Sequence, residues 1–214
     1  MKIQFLISKG SWANSYKKKI YPLVKKYCKK FQIIDHHKKI NKNNTICILF
    51  SYFKKIPNSY LKRSKYNLIP HESDLPKGRG MSPLTWQILL GKENIVLSLI
   101  EASKKIDDGK IYYKKSVFIK KNYLFNEFKN IQFKENLKLI LKFIKYLKKN
   151  NKPPKSLNQK GKPTFYKKRT TKHSILNINK SIKTQFDLLR SVDIINYPCF
   201  FYYKKRKFYI KIYV

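Results

Sequence analysis

The feature that most limits what this chain can fold into is a regular alternation along its first third. Short, nearly continuous apolar runs at residues 2–8, 31–34, 45–50 and 66–70 are separated by crossover segments. The first run ends at Lys9-Gly10-Ser11 and is followed by a periodic stretch, 16–30, in which Ile20, Leu23, Val24 and Tyr27 recur at helical spacing. Runs apolar along their whole length suit strands buried on both faces, and crossovers join strands that run the same way. The predicted fold class is therefore α/β: a Rossmann-like, mostly parallel sheet with helices on both faces. In such sheets ligands sit beyond the carboxyl ends of the strands, which directs attention to the segments after Ser8, Phe50 and Pro70. The first turn holds a single glycine, and neither a G-x-G-x-x-G fingerprint nor a P-loop is present, which disfavours a nicotinamide enzyme or an ATPase.

Further along, Pro83 marks a helix start, and residues 84–90 closed by Gly91 make two turns. Residues 95–102 and 110–119 read as two strands joined through 103–109, where Asp107-Asp108-Gly109 is a turn signal. Leu137, Ile140, Leu141, Ile144 and Leu147 mark a long amphipathic helix within 123–149. Residues 151–163, with Pro153-Pro154 and Gly161, read as a linker between a main domain, 1–150, and a small α+β extension, 164–214. The extension is expected to hold a helix over 182–191 and to end in a hairpin, 200–203 against 208–214.

Charge restricts the partners less than its size suggests. Fifty Lys+Arg against eleven Asp+Glu give +39, which makes nucleic acid the first partner to consider. Only five of those cations are arginine, alanine occurs twice, and Lys, Asn, Ile, Phe and Tyr abound, the residues of A/T-rich codons. Genomic composition thus accounts for much of the basicity, while an attraction for anionic ligands, nucleotides and folates included, follows either way. The three cysteines, Cys28, Cys47 and Cys199, are far apart and fit no disulfide framework, and no His/Cys cluster has zinc spacing. Cys28 and Cys47 read as small hydrophobes in helix and strand interiors. No apolar stretch has the length of a membrane span, and the N-terminal run is too short for a secretion signal. A cytoplasmic protein with no metal and no membrane partner is expected.

The informative stretch runs from Asn67 to Leu84: N-L-I-P-H-E-S-D-L-P-K-G-R-G-M-S-P-L. A histidine leaves a buried strand end, then come a loop with two prolines and two glycines and a helix start. Taken alone, a strand-end His is more often structural than catalytic, and an Asp-Gly turn needs no catalysis. Together the segments resemble the folate-dependent formyltransferases, whose pattern is N-x-H at a strand end, then S-L-L-P-x-x-R-G-x-x-P, then a distal D-x-G. His71, Ser73, Leu75, Pro76, Arg79, Gly80 and Pro83 match by spacing, as do Asp107 and Gly109. The later stretches P-T-F-Y-K-K-R-T from Pro163, Q-F-D-L-L-R from Gln185 and Tyr197-Pro198 look like the small C-terminal extension of sugar formyltransferases. One departure stands out. The family asparagine lies two residues before the histidine, where this chain has Ile69, and Asn67 lies four before. In a strand 67, 69 and 71 face one way, so Asn67 reaches the site only if Pro70 or a bulge shortens the path.

What the resemblance implies is transfer of a formyl group from 10-formyltetrahydrofolate to an amine. The tetrahedral adduct gathers negative charge on oxygen, and a donor aimed at that oxygen lowers the barrier. His71 suits that role, with Asp107 orienting the ring or drawing a proton from the attacking amine and Asn67 as a third candidate. Leu75, Pro76, Arg79, Gly80, Asp108 and Gly109 are carried over as cofactor-binding residues, although Arg79, between two glycines, suits bracing the loop as well as facing a phosphate. Ser8, Lys9, Gly10 and Lys77 are carried over as substrate-binding residues, and Trp86 reads as core.

Three readings follow, two of them acceptors and the third non-enzymatic. The first is a nucleotide-linked amino-deoxy sugar, favoured because only about 50 residues follow Gly161. The second is methionyl-tRNA, towards which the +39 charge pulls. The third makes the fold a basic RNA-binding module with an inactive site, encouraged by the displaced asparagine. Dimerisation through the C-terminal hairpin is a further expectation.

Overall fold

A computed structural model describes residues 1–194 and 197–214. The four apolar runs of the first third all become parallel strands. β1 (Lys2–Leu6) is followed by α1 (Lys17–Lys25), β2 (Lys30–Ile34), β3 (Asn44–Leu49), a single helical turn α2 (Asn58–Leu61) and β4 (Ser64–His71). A two-residue strand, β5 (Arg79–Gly80), and α3 (Pro83–Leu89) lead to β6 (Asn94–Glu101), β7 (Ile111–Phe118) and the long α4 (Phe125–Asn150). The main sheet has the order β2-β1-β3-β4-β6-β7. Its first four strands are parallel, while β6 and β7 are antiparallel to their neighbours. The remaining elements are β8 (Phe165–Tyr166), α5 (Phe186–Ser191) and the hairpin of β9 (Cys199–Tyr203) with β10 (Arg206–Ile210).

Side-chain alternation decides how the sheet is covered. Ile3, Phe5 and Ile7 of the first run join Ile46, Ile48 and Leu68 in the principal core, against Ile20 and Val24 of α1 and Leu137, Ile140, Phe143, Ile144 and Leu147 of α4. Leu6 and Cys47 point the other way and pack with Ile40 and partly buried Ile34, Leu49, Ile56 and Tyr60. The cover is therefore unequal, with the long helix α4 on one face and the single turn α2 and loops on the other. Leu23, expected on the apolar face of α1, is 38% exposed, so that face is carried by Ile20 and Val24. Cys28 falls just past the end of α1 instead of within it, and burial raises its thiol. Burial pushes the Cys47 thiol up to about 12 and that of Cys199 up to about 11, as befits small apolar residues.

The C-terminal half holds two departures from expectation. The hairpin is tighter than the sequence suggests, turning at Lys204 and Lys205, both at positive φ (44° and 64°), as a two-residue hairpin turn requires. The stretch 151–163 makes specific bonds to the main domain. Leu157 bridges to Ile111 through both backbone groups (2.8 and 2.9 Å), and β8 just beyond pairs in parallel with β5. Among the described residues no helix is long and apolar enough to cross a membrane.

Candidate active site

The site lies where the topology directs it, past the carboxyl end of β4. His71 is the last residue of that strand and 5% exposed. Beyond it the chain makes a loop with a cis Leu75–Pro76 bond and returns at β5. The His71 ring has Nε2 2.9 Å from the Gly78 carbonyl oxygen and Nδ1 3.7 Å from Oδ2 of Asp107. The second distance is longer than a hydrogen bond and brings the carboxylate up against the edge of the ring. The Gly78 carbonyl can only accept, so Nε2 carries a proton, and Nδ1 can donate only when the ring carries a second one. The Asp107 Oδ2 also accepts from the Gly80 backbone N–H at 2.9 Å. Among the described residues no hydrogen bond engages its Oδ1, and the side chain is 13% exposed.

Backbone conformation sets the carboxylate there. Asp107 is a non-glycine residue in the left-handed region (φ 48°), which costs of order 1–2 kcal/mol unless the surroundings enforce it. They do so at Gly109, which lies so close under the Glu101 carbonyl that a Cβ there would overlap the oxygen. Gly80 is likewise required, at φ 101° with its missing Cβ facing the Tyr166 carbonyl.

Arg79 is 8% exposed and turned inward. Its guanidinium forms an ion pair with Asp108 and donates to Gln159 Oε1 from Nε (3.1 Å) and Nη2 (2.6 Å). Bracing the loop is thus the role this geometry supports. Gly78 N–H donates to Thr164 Oγ1 (2.8 Å), Arg79 N–H to the Thr164 carbonyl (2.9 Å) and Met81 N–H to the Tyr166 carbonyl (3.2 Å). Trp86 is half-buried instead of core, with its indole N–H 2.9 Å from the Lys167 carbonyl and its ring near those of Tyr166 and His173. It docks the C-terminal segment onto α3.

His71, Arg79, Gly80, Asp107, Asp108 and Gly109 are therefore gathered in one place. The other sequence candidates lie elsewhere. The Asn67 carboxamide donates 3.0 Å to the Leu61 carbonyl, beside α2, and so is committed away from His71. Leu75 is buried with Ile100, Ile111 and partly buried Ile69, forming an apolar floor under the loop. Ile69, where the family has asparagine, belongs to that floor. Pro76 is half-buried and Lys77 exposed on the loop surface. At the end of β1, the Ser8 hydroxyl accepts from Phe53 N–H (2.9 Å), while Lys9 and Gly10 are exposed, with Lys9 3.7 Å from Asp35.

A buried polar cluster adjoins the site that sequence reasoning missed. Glu72, next to His71, accepts from Asn136 Nδ2 of α4 (2.7 Å), and its carbonyl accepts from Gln87 Nε2 (2.6 Å). One face of α4 also carries Lys129, which donates to Gln132 Oε1 (2.8 Å) and stands over the Trp12 ring at 4.8 Å. Burial pulls its ammonium down to about 8, while the charges of Glu72 and Asp193 oppose that shift. Helical spacing marks 129, 132 and 136 as one face, but nothing in a single sequence distinguishes a buried polar face from a solvated one. Gln159 was equally hidden, inside a stretch read as a linker.

No family model matches the chain. Methionyl-tRNA formyltransferase of Buchnera aphidicola is 34% identical over 146 residues, which cover 65% of this chain and 44% of that protein. The chain spans about half or less of the length of the first curated relatives it matches. Among solved structures, a methionyl-tRNA formyltransferase from Clostridium thermocellum superposes with a TM-score of 0.81 at 20% identity, over 99% of this chain and 92% of that one. HypX from Aquifex aeolicus in complex with tetrahydrofolic acid gives 0.78 at 16%, over 99% and 37%. A 4-N formyltransferase from Francisella tularensis gives 0.69 at 16%, over 99% and 97%. In sequence and in fold the chain resembles the folate-dependent formyltransferases.

Proposed function

We propose that this chain transfers a formyl group from 10-formyltetrahydrofolate to a primary amine, with His71 and Asp107 acting on the reacting atoms. The observation that carries the reading is the convergence of that imidazole and that carboxylate, 3.7 Å apart, from a strand end and a loop 36 positions apart in sequence. The folate supplies an activated formyl carbon. The amine nitrogen bonds to that carbon and the carbonyl oxygen takes up negative charge; when the adduct collapses, the bond to the folate nitrogen breaks and that nitrogen gains a proton. His71 donates from Nδ1 to the developing oxyanion. Asp107 Oδ1, which the Gly80 N–H leaves free, takes the proton that the amine sheds. Exposed Ile106, beside Asp107, offers an apolar surface against which a flat pterin can lie.

Chain length does not separate the acceptors, since this chain spans 92% of the solved methionyl-tRNA formyltransferase from Clostridium thermocellum. The amine of an aminoacyl-tRNA is the first acceptor. It is supported by the 34% identical relative and by the hairpin, where Tyr202, Tyr203 and Tyr209 are more than half exposed around Lys204, Lys205, Arg206 and Lys207. Exposed rings amid cations can stack bases and neutralise phosphates. The second acceptor is an amino-deoxy sugar nucleotide, favoured by the 97% coverage of the 4-N formyltransferase. The test supplies 10-formyltetrahydrofolate with charged methionyl-tRNA and, separately, with a panel of amino-sugar nucleotides, and follows formyl product. Product with one class assigns the acceptor. No product with either, or full activity in both His71→Ala and Asp107→Ala, refutes the proposal.

A further inference from the structure

We infer that Gln159 is a positioning residue for Asp107, and that the segment carrying it completes the site; the inference rests on the formyl-transfer reading above. The Gln159 carboxamide uses its full hydrogen-bonding capacity on the catalytic loops. Nε2 donates to the Asp107 carbonyl at 2.7 Å and to the Gly109 carbonyl at 2.9 Å. Oε1 accepts both Arg79 contacts, from Nη2 at 2.6 Å and Nε at 3.1 Å. Two donors and two acceptor sites are all that a carboxamide has.

The arrangement has one polarity. A guanidinium can only donate and two carbonyls can only accept, so only a side chain with an oxygen on one side and an NH₂ on the other joins them. It grips the residues before and after Asp108, while Arg79 holds Asp108 itself through the ion pair. Asp107, Asp108 and Gly109 are thereby fixed at three successive positions. That is what a residue held at φ 48° needs if its carboxylate is to stay beside His71. The same segment is tied on either side of Gln159, by Leu157 to Ile111 and by Thr164 to Gly78 and Arg79. Residues 157–164 therefore act as a strap that couples the loop after β4 to the loop after β6.

Gln159→Met keeps the length and removes every bond; Gln159→Glu keeps the acceptor but turns an oxygen on two carbonyls. For both, the expected result is a ~10- to 100-fold fall in kcat with KM for the folate within about 3-fold, since misplacement of about 1 Å costs that much. Amide hydrogen exchange over 107–110 should quicken while the core of β1 and β3 keeps its protection. The separating measurement is a double-mutant cycle with Asp107→Asn. If Gln159 acts through Asp107, Gln159→Met costs less than 2-fold in the Asp107→Asn background, whereas a merely structural role costs the same in both. Additive losses, or unchanged kcat and exchange in Gln159→Met, overturn the positioning role. Absence of formyl product with either acceptor class sinks the formyl-transfer reading instead, and the exchange measurement on Gln159→Met still reports on the strap without any turnover.

Discussion

Oδ2 of Asp107 lies 3.7 Å from Nδ1 of His71 and accepts the Gly80 N–H at 2.9 Å, which leaves Oδ1 to receive a proton. Asp107→Asn tests that division of labour. Asparagine keeps an oxygen for Gly80 but presents an NH₂ where a proton acceptor is needed. We expect kcat to fall ~10²- to 10⁴-fold, the range for loss of a general base, with little change in unfolding midpoint. Retention of full kcat would show that the amine loses its proton elsewhere.

Gly109→Ala probes the backbone beneath the carboxylate. Its Cβ would overlap the Glu101 carbonyl oxygen, and backbone on both sides leaves nothing flexible to give way. The loop must move, taking Asp107 with it, so a loss of about 3 kcal/mol or more in urea unfolding and a collapse of activity are expected. Gly91→Ala is the control. It meets open space at φ 72°, so only the left-handed strain of about 1–2 kcal/mol applies, with activity preserved. Equal losses in the two variants would remove the steric argument.

These two sites also mark the boundary of what the sequence discloses. The strand runs, the emergence of His71 at a strand end and the Asp107-Asp108-Gly109 turn are local patterns, and the fold preserves them. Bracing was one of two roles readable for Arg79, but its partners Asp108 and Gln159 were not readable, being 29 and 80 positions away. Asn67 could be doubted from strand spacing; that its carboxamide goes to Leu61 depends on where α2 packs. A Pro-rich stretch looks like a linker whether it hangs free or runs across a site, since what separates the two is a handful of hydrogen bonds made by Gln159 and Thr164 to distant backbone. Composition misleads in a similar way with Lys129, one lysine of many in the sequence and yet 8% exposed.

Glu101 predicts an acid-side feature of the stability curve. Burial pushes its carboxyl up from 4.5 to about 7, against the lowering effect of the Asn67 N–H (2.6 Å) and the Tyr112 hydroxyl (2.9 Å). The folded state therefore binds more protons than the unfolded one between those values, and stability falls as pH rises from 4.5 to 7 through this group. Glu101→Gln keeps an acceptor for Asn67 and can donate to the Tyr112 oxygen, so it removes the titration without stranding either partner. Urea unfolding should find the variant gaining on the native protein by about 3 kcal/mol between pH 4.5 and 7. A constant difference over that interval would mean that Glu101 is solvated in the folded protein.

Lys129 predicts the opposite sign on the alkaline side. Burial brings its ammonium from 10.5 down to about 8, so between these values the unfolded chain binds the extra proton. Stability then rises with pH across that window, by about 3 kcal/mol in all, and below pH 8 the whole penalty is present. The absolute curve is shaped by other lysines and by tyrosines, but the difference between the native protein and Lys129→Met cancels them. That difference should shift by about 3 kcal/mol in favour of the native protein between pH 8 and 10.5 and stay level from pH 6 to 8. At neutral pH the variant loses the cation facing Glu72 and leaves Gln132 Oε1 without its donor, so its stability there reports how far those losses offset relief from burying a charge. A flat difference from pH 6 to 10.5 would place the Lys129 ammonium in water and dissolve the buried cluster beside His71.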